Sequence, residues 1–455
     1  MGKLNRRDLI KSLATIPIIG GLGIGWTRKR NYEAEKIEKT KKLYNDLGFN
    51  VEDVSPERKA VPMGKSDLLR IGVVGIGVRG TQLLRSMGYV EKSWVDENTD
   101  ASGKPNVRLQ SFIEQEELNI EIAAVCDVFD LHLEKGIEIS KYNKKSNDFS
   151  GKPAKGYKNY KDLIDDKNVD AVIVTTPDFW HAPISIAAMK AGKHVYCEKC
   201  MTRTEDEAHE VYRTAKANPN SVLQVGHQYH QNSCFYKAKE LIDKNAVGKI
   251  TLVETTTNRN TVDGAWTRHL DSKGNPKPGD PKSIDWDLFL GDRPKVPFEL
   301  ERYYNWTKFW DYGTGLAGQL MGHEYDAASQ LLELGIPETV SAEGGIYFHQ
   351  DNREIPDTFN VVCNFPSKDV SVIYSASLAS SRGRGRVFMG HDGSLDVGGS
   401  LKVNIDRNST QYKDYIKNGE ISTDDVFFEY RPGMEEIDAI TSKKLSLKQE
   451  SLRSS

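Results

Sequence analysis

The chain has 455 residues, 38% hydrophobic and 28% charged, with a formal net charge of −3. That length exceeds what one ordinary core organises and calls for two domains with appendages. The nearly balanced charge gives no reason to expect nucleic acid as a partner, and five scattered cysteines, an odd number, argue against a disulfide framework.

Asn5-Arg-Arg-Asp-Leu-Ile-Lys11 and the soft, glycine-rich apolar stretch after it pattern as a twin-arginine export signal over residues 1–30. A basic amphipathic N-terminal helix is the alternative. The apolar run falls short of the ~20 residues a membrane span needs. No small-x-small cleavage site stands out and Thr27-Arg-Lys-Arg30 adds charge on the far side, so membrane contact is expected only through an uncleaved anchor. Export would place the protein in the periplasm or beyond it. Residues 31–66 are rich in Lys and Glu, with little apolar content apart from Leu43, Leu47 and Phe49, and read as a charged, partly helical linker.

A first domain is expected over residues 67–226. Ile71 to Val74 reads as a buried parallel strand leading into Gly75-x-Gly77-x-x-Gly80, with Thr81-Gln-Leu-Leu-Arg as the first turn of a helix. In a dinucleotide fold the first glycine permits a tight turn, the second admits the pyrophosphate to the backbone, and the third lets helix and strand pack closely. The helix N-terminus then offers free N–H groups to the phosphates. Glu121–Asp127 is a second strand ending in an acid, placed to hold the adenosine ribose hydroxyls. No Arg or Lys follows Asp127 directly (Val128, Phe129, Asp130), which favours NAD and makes NADP the less expected cofactor. The spacing to Asp127 exceeds the usual ~20 residues, and an insertion around 89–118 accounts for it. Lys141–Gly156 is polar and reads as a surface loop. Val169–Pro177 and Lys193–Glu198 supply two further strands around a helical stretch at 181–191, and Ser221–Gly226 supplies the last. That alternation is what a doubly wound sheet requires.

A second domain is expected over residues 227–443, followed by a polar tail at 444–455. Helical periodicity appears at Cys234–Asn245 and a long strand at Lys249–Asn258. The stretch 260–297, rich in Gly, Pro, Asp and Trp, reads as an extended loop. A helix follows around 317–334, then consecutive strands at 339–348, 357–365, 369–378, 385–389 and 393–397. Strands without intervening helices indicate an antiparallel or mixed sheet, open on one face. The last forty or so residues read as polar and loosely patterned.

Chemistry concentrates in three places. Glu198-Lys199 closes a late strand of the first domain, where ligands of open α/β sheets lie, and an amine there could polarise a substrate hydroxyl. A surface lysine at a strand end is the alternative. In the glycine-rich entry Gly313–Gly322 and the helix after it, Gln319, His323 and Asp326 share one face. A histidine suits removal of a hydroxyl proton, although one satisfied by hydrogen bonds beside a core fits the same spacing. His227, Tyr229 and His230 follow a strand directly, and Trp266, Arg268, Trp306, Trp310 and Tyr312 add aromatic and polar surface suited to sugar faces. No metal site is expected, because no carboxylate motif joins His227 and His230. Cys197-Glu-Lys-Cys200 forms C-x-x-C without a second ligand pair, so two buried small residues are the better reading.

Gly75-x-Gly77-x-x-Gly80, Thr175-Thr-Pro-Asp-Phe-Trp-His181, Gly192-Lys-His-Val-Tyr-Cys-Glu-Lys199 and Gly322-His-Glu-Tyr-Asp326 together resemble the Gfo/Idh/MocA oxidoreductase family, over roughly Leu68 to Leu401. The resemblance implies an α/β architecture: an N-terminal Rossmann domain, then an α/β domain with a large, mainly antiparallel open sheet that packs in a homo-oligomer. It implies NAD(P) held by Gly75, Ile76, Gly77, Val78, Arg79, Gly80, Asp127, Thr176, Pro177, His181, Glu198 and Lys199. It implies a small-molecule sugar or polyol substrate, met by His227, Tyr229, His230, Trp266, Arg268, Tyr312 and Asp326. Lys199 and His323 take the positions of the family's catalytic lysine and histidine. Two departures stand out: Cys200 replaces the proline after the lysine, and Gln319 replaces a carboxylate that would orient the imidazole and stabilise its protonated form. Beside an oxidoreductase with tightly bound cofactor, the resemblance leaves open an NAD-dependent glycosidase, and these two replacements leave open a non-catalytic sugar-binding protein on the same fold.

Overall fold

A computed structural model describes residues 35, 38–49, 68–260, 266–271 and 273–432. The export-signal pattern, much of the linker and the C-terminal tail lie outside the described residues.

The first sheet has six parallel strands: β1 (Leu69–Val74), β2 (Ile120–Cys126), β3 (Lys155–Tyr157), β4 (Ala171–Val174), β5 (His194–Glu198) and β6 (Leu223–Gly226). Their spatial order is β3-β2-β1-β4-β5-β6, so the chain reverses direction across the sheet beside β1, where a ligand crevice opens in such folds. Strands covered on both faces read as continuous apolar runs, and Val73, Val74, Ala124, Val125, Val172 and Val174 are all buried. The insertion before β2 forms two short helices, Lys92–Glu97 and Val107–Ile113, which close a small core of Val90, Leu109, Phe112 and Tyr142. That core draws in the stretch 141–156 expected to be a surface loop. Tyr142 and Ala154 are buried there, and its last residues begin β3.

The second sheet has eight strands: β7 (Ile250–Thr256), β8 (Thr339–Gly345), β9 (Thr358–Phe365), β10 (Val370–Ser377), β11 (Arg386–Gly390), β12 (Gly393–Val397), β13 (Leu401–Ile405) and β14 (Phe428–Tyr430). The order is β14-β13-β12-β11-β7-β10-β9-β8, and only the β7–β10 pair is parallel. Along β10, Val370, Val372, Tyr374 and Ala376 point into the core while their neighbours are half-exposed, the alternation of a sheet covered on one side. The helices Ser233–Asp243 and Gly322–Leu332 cover that side through Phe235, Ala238, Leu241, Ala327, Ala328 and Leu331.

Three expectations need correction. The linker does more than connect: residues 38–46 are helical, Phe49 is buried, and Leu43, Tyr44 and Leu47 pack against the same core. Tyr44 and Phe49 meet Phe427 and Phe428 edge-on or tilted. The few apolar side chains of a charged segment fall on one helical face, enough to dock it. The last forty or so residues are not all loosely patterned, because Phe428–Tyr430 form β14, which pairs with β13 and buries Phe428 and Tyr430. The stretch 260–297 carries a short helix, Trp286–Leu290, succeeded by Leu300–Tyr304, and folds back onto the first domain.

Candidate functional site

The turn after β1 shows why its glycines are there. Gly75 has φ +92°, and a Cβ on it would lie 2.8 Å from the Thr175 carbonyl oxygen; one on Gly80 would run into the Gly75 carbonyl. The helix Val78–Ser86 therefore seats tightly on the sheet. Gly77 differs, because a Cβ there meets nothing within 4 Å. It opens onto the crevice, and the helix that follows has neither a capping side chain nor an acid in its first turn, leaving its N-terminal amides for an anion. At the end of β2, Asp127 accepts the Ile76 N–H (2.7 Å) and the Phe129 N–H (3.0 Å), which fixes its carboxylate at the crevice edge.

The crevice extends into a cleft of about 1050 Å³ that the second domain roofs. Phe129 and Ile284 form an antiparallel bridge, with the Asp130 N–H donating to Ser283 O (2.9 Å) and the Asp285 N–H to Val128 O (2.9 Å). Trp180 Nε1 donates to Phe289 O (2.9 Å). Beneath these bonds Phe129 and Phe179 of the first domain share an aromatic cluster with Ile284, Phe289, Tyr303 and Tyr312. Lys277, Phe289, Arg293, Tyr304 and Trp306 thereby become one wall of the nucleotide side. The composition of 260–297 signalled only a loop; the aromatic density from Trp286 to Tyr312 was the sign of a packed unit.

At the other end of the cleft Lys199 and His323 approach from opposite domains. Lys199 Nζ donates to Gln319 O and Oε1, both at 3.2 Å. Gln319 sits in a π-helical turn, Ala317–Met321, that runs directly into the helix carrying His323. Its Nε2 donates to Asp178 Oδ2 at 2.5 Å, and the same oxygen accepts from Thr314 Oγ1 (2.7 Å) and the Thr314 N–H (3.2 Å). Asp178 is buried, which pushes its carboxyl upward against the pull of His181, Thr314 and Lys199. His323 is pulled down to about 3, by burial first and the Lys199 charge second. Its Nδ1 has no hydrogen-bond partner among the described residues, nor has the buried Thr176 Oγ1. Two orphaned polar atoms on one cleft, together with open space at Gly77, fit a bound dinucleotide and a hydroxylic ligand.

Of the residues expected at the cofactor, Gly75, Gly77, Val78, Arg79, Asp127, Thr176, Pro177, Glu198 and Lys199 line the cleft, while Ile76 and Gly80 lie buried beneath it. Arg79 Nε pairs with Glu198 Oε1 at 2.7 Å, joining the glycine turn to the end of β5. His181 borders the cleft, but both its ring nitrogens face carbonyls, Cys200 O at 2.7 Å and Thr176 O at 2.8 Å, so it ties two loops together. Of the residues expected at the substrate, Arg268 faces the cleft. His227 and His230 flank Asp326 at 3.5 and 3.0 Å, and Tyr229 lies against the His323 ring with centroids 5.9 Å apart. Trp266 and Tyr312 are corrections. Trp266 is buried in the second core and Tyr312 in the aromatic cluster, so neither offers a face to a sugar. Scattered aromatics obey the pull of burial before that of function. Asp178 was missed, although an acid inside Thr175-Thr-Pro-Asp-Phe-Trp-His181, just past a strand end, was legible.

Residues 69–227 match the model of the Gfo/Idh/MocA oxidoreductase family, NAD-binding Rossmann fold. An inositol 2-dehydrogenase of Salmonella paratyphi B is 29% identical over 185 residues, 41% of this chain and 44% of that protein. A glycosyl hydrolase family 109 protein of Solibacter usitatus is 26% identical over 312 residues, 64% of this chain and 58% of that protein. The chain thus aligns with about half the length of these curated relatives. A solved levoglucosan dehydrogenase in complex with NADH superposes with a TM-score of 0.50 at 18% identity, covering 75% of this chain and 77% of that one, a likeness of fold.

Two outcomes follow from the geometry. Gly77→Ala is expected to melt within a degree or two of the parent, since the new methyl meets open space, yet to lose at least about tenfold in NADH affinity by fluorescence titration. His323 resists protonation when folded near pH 3 but takes a proton near 6.5 when unfolded, so acid favours unfolding from about pH 6.5 downward. The melting temperature of His323→Gln relative to the parent is therefore expected to rise by a few degrees between pH 7 and pH 4.

Proposed function

We propose that this chain, which carries a Gfo/Idh/MocA-type NAD-binding domain at residues 69–227, is an NAD-dependent oxidoreductase acting on a hydroxyl of a sugar or polyol. The observation that carries this reading is the shared cleft: the glycine turn at one end, and at the other an amine and an unpartnered imidazole nitrogen from opposite domains. NAD bound there would supply the hydride acceptor. Gly77 and the helix amides would hold its phosphates, Asp127 the adenosine ribose. Lys199 offers N–H donors to the substrate oxygen, fixed in place by Gln319. His323, neutral at ordinary pH, offers its imidazole to the hydroxyl proton. Its low basicity means that it works only when the proton's charge is met.

The cofactor is retained between turnovers in this proposal. The roof over the nucleotide side is bonded to the first domain by main-chain and aromatic contacts, which give the cofactor a wall on both sides. Retention matches export by the twin-arginine route, which carries folded proteins to a compartment without an obvious soluble pool to reoxidise NADH. A redox-neutral cycle follows, with oxidation of one sugar coupled to reduction of another. The half-exposed face of the second sheet is where a homo-oligomer would form.

A second reading is favoured by the family 109 likeness, which extends through 64% of the chain and so beyond the nucleotide domain. In it a sugar hydroxyl is oxidised transiently, the neighbouring C–H becomes acidic, the aglycone is eliminated, water adds and the carbonyl is reduced again.

Mass spectrometry of the denatured protein is expected to find copurified NAD. The protein is then offered myo-inositol, glucose, galactose and 4-nitrophenyl glycosides. Cofactor reduction in a single turnover supports the oxidoreductase, and nitrophenol release without net NADH supports the glycosidase. Lys199→Ala or His323→Ala should lower either rate at least about a hundredfold. Nucleotide-free protein that releases NADH in step with product would refute the closed cycle, and full rates in both variants would remove these residues from the chemistry.

A further inference from the structure

Asp178 lies outside every role assigned so far, yet it is the most costly group in the cleft. A carboxylate 1% exposed demands compensation for lost hydration. Its compensation is specific. Oδ2 receives the Thr314 N–H, the Thr314 hydroxyl and the Gln319 amide, and the last of these leads to Lys199. The amide has one orientation that satisfies both of its ends. Its oxygen must face an ammonium that only donates, and its NH₂ must face an oxygen that accepts. Turning it over would place donor against donor and acceptor against acceptor.

Resting on the functional reading above, we infer that Asp178 is a positioning residue for the Lys199 amine, acting through the Gln319 side chain. The carboxylate locks the amide, the amide locks the end of a flexible four-carbon stem, and the buried charge lies one amide away from the ammonium. A lysine that wanders by an ångström loses much of what orientation gives it. Neighbouring groups are placed to keep this chain rigid. Thr314 Oγ1 is also 3.3 Å from Cys200 Sγ, the residue after the amine, and a side chain at Gly318 would collide with both Thr314 and Cys200.

The test removes the charge and the amide separately and then together. Asp178→Asn keeps the outline of the group and removes its charge; Gln319→Leu removes the amide through which that charge acts. On whichever member of the sugar and nitrophenyl glycoside panel the parent turns over, each single variant is expected to lose about tenfold or more in kcat with KM within about twofold, and the pair to lose no more than Gln319→Leu alone. NADH titration and melting confirm that all three are folded. A readout free of activity accompanies this: acetic anhydride labelling of Lys199, ratioed to surface lysines in the same digest, should quicken several-fold in Asp178→Asn and in Gln319→Leu, and no further in the pair. An Asp178→Asn variant with the parent's kcat and labelling ratio, or losses that multiply in the pair, overturns the inference. If the parent turns over nothing in the panel, the functional reading falls, and the labelling ratios alone decide the place of Asp178.

Discussion

Two sheets become one site because of a short antiparallel contact. Where the chain leaves β2 and its terminal acid, Val128 and Asp130 exchange main-chain hydrogen bonds with Ser283 and Asp285 of the segment that belongs, in sequence, to the second domain. Phe129 and Ile284 sit between those bonds and are buried. Main-chain pairing sets the register, and the aromatic cluster around Phe289 and Tyr303 supplies apolar burial that holds it. Together with the hydrogen bonds that link Asp178 and Lys199 to Thr314 and Gln319, that contact fixes the distance of the helix carrying His323 from β5. With it, the adenosine end acquires a wall and the far end acquires two facing groups.

Much of the first domain was legible because its constraints are local. A buried parallel strand announces itself as an apolar run, and a glycine turn with a helix behind it has few other uses. The second sheet was legible as alternation up to β12, but β13 and β14 were not: their apolar residues are few, short-ranged and separated by a polar stretch, and only pairing with β12 gives them a partner. The docking of residues 38–49 depends on Phe427 and Phe428, nearly four hundred positions away. No local pattern encodes such a contact.

The site divides along the same line. Lys199 and His323 could be singled out from motifs, and the structure brings both to one cleft. Trp266 and Tyr312 could not be told from core aromatics by composition, and they proved to be core. What the sequence left open at position 319, a neutral amide where an acid was expected, has a physical counterpart in the buried acid at 178. The amide and the acid hold each other across the domain boundary, so a carboxylate stands one hydrogen bond away from position 319 even though the residue there is neutral. Burial first, and the Lys199 charge second, keep His323 neutral.

The most direct measurement is a crystal structure of the protein with NADH. The account predicts pyrophosphate over Gly77, the adenosine ribose on Asp127, and the reactive edge of the nicotinamide between the Lys199 amine and the His323 ring. A nicotinamide turned away from that pair, or a dinucleotide bound elsewhere than across the turn after β1, would contradict it.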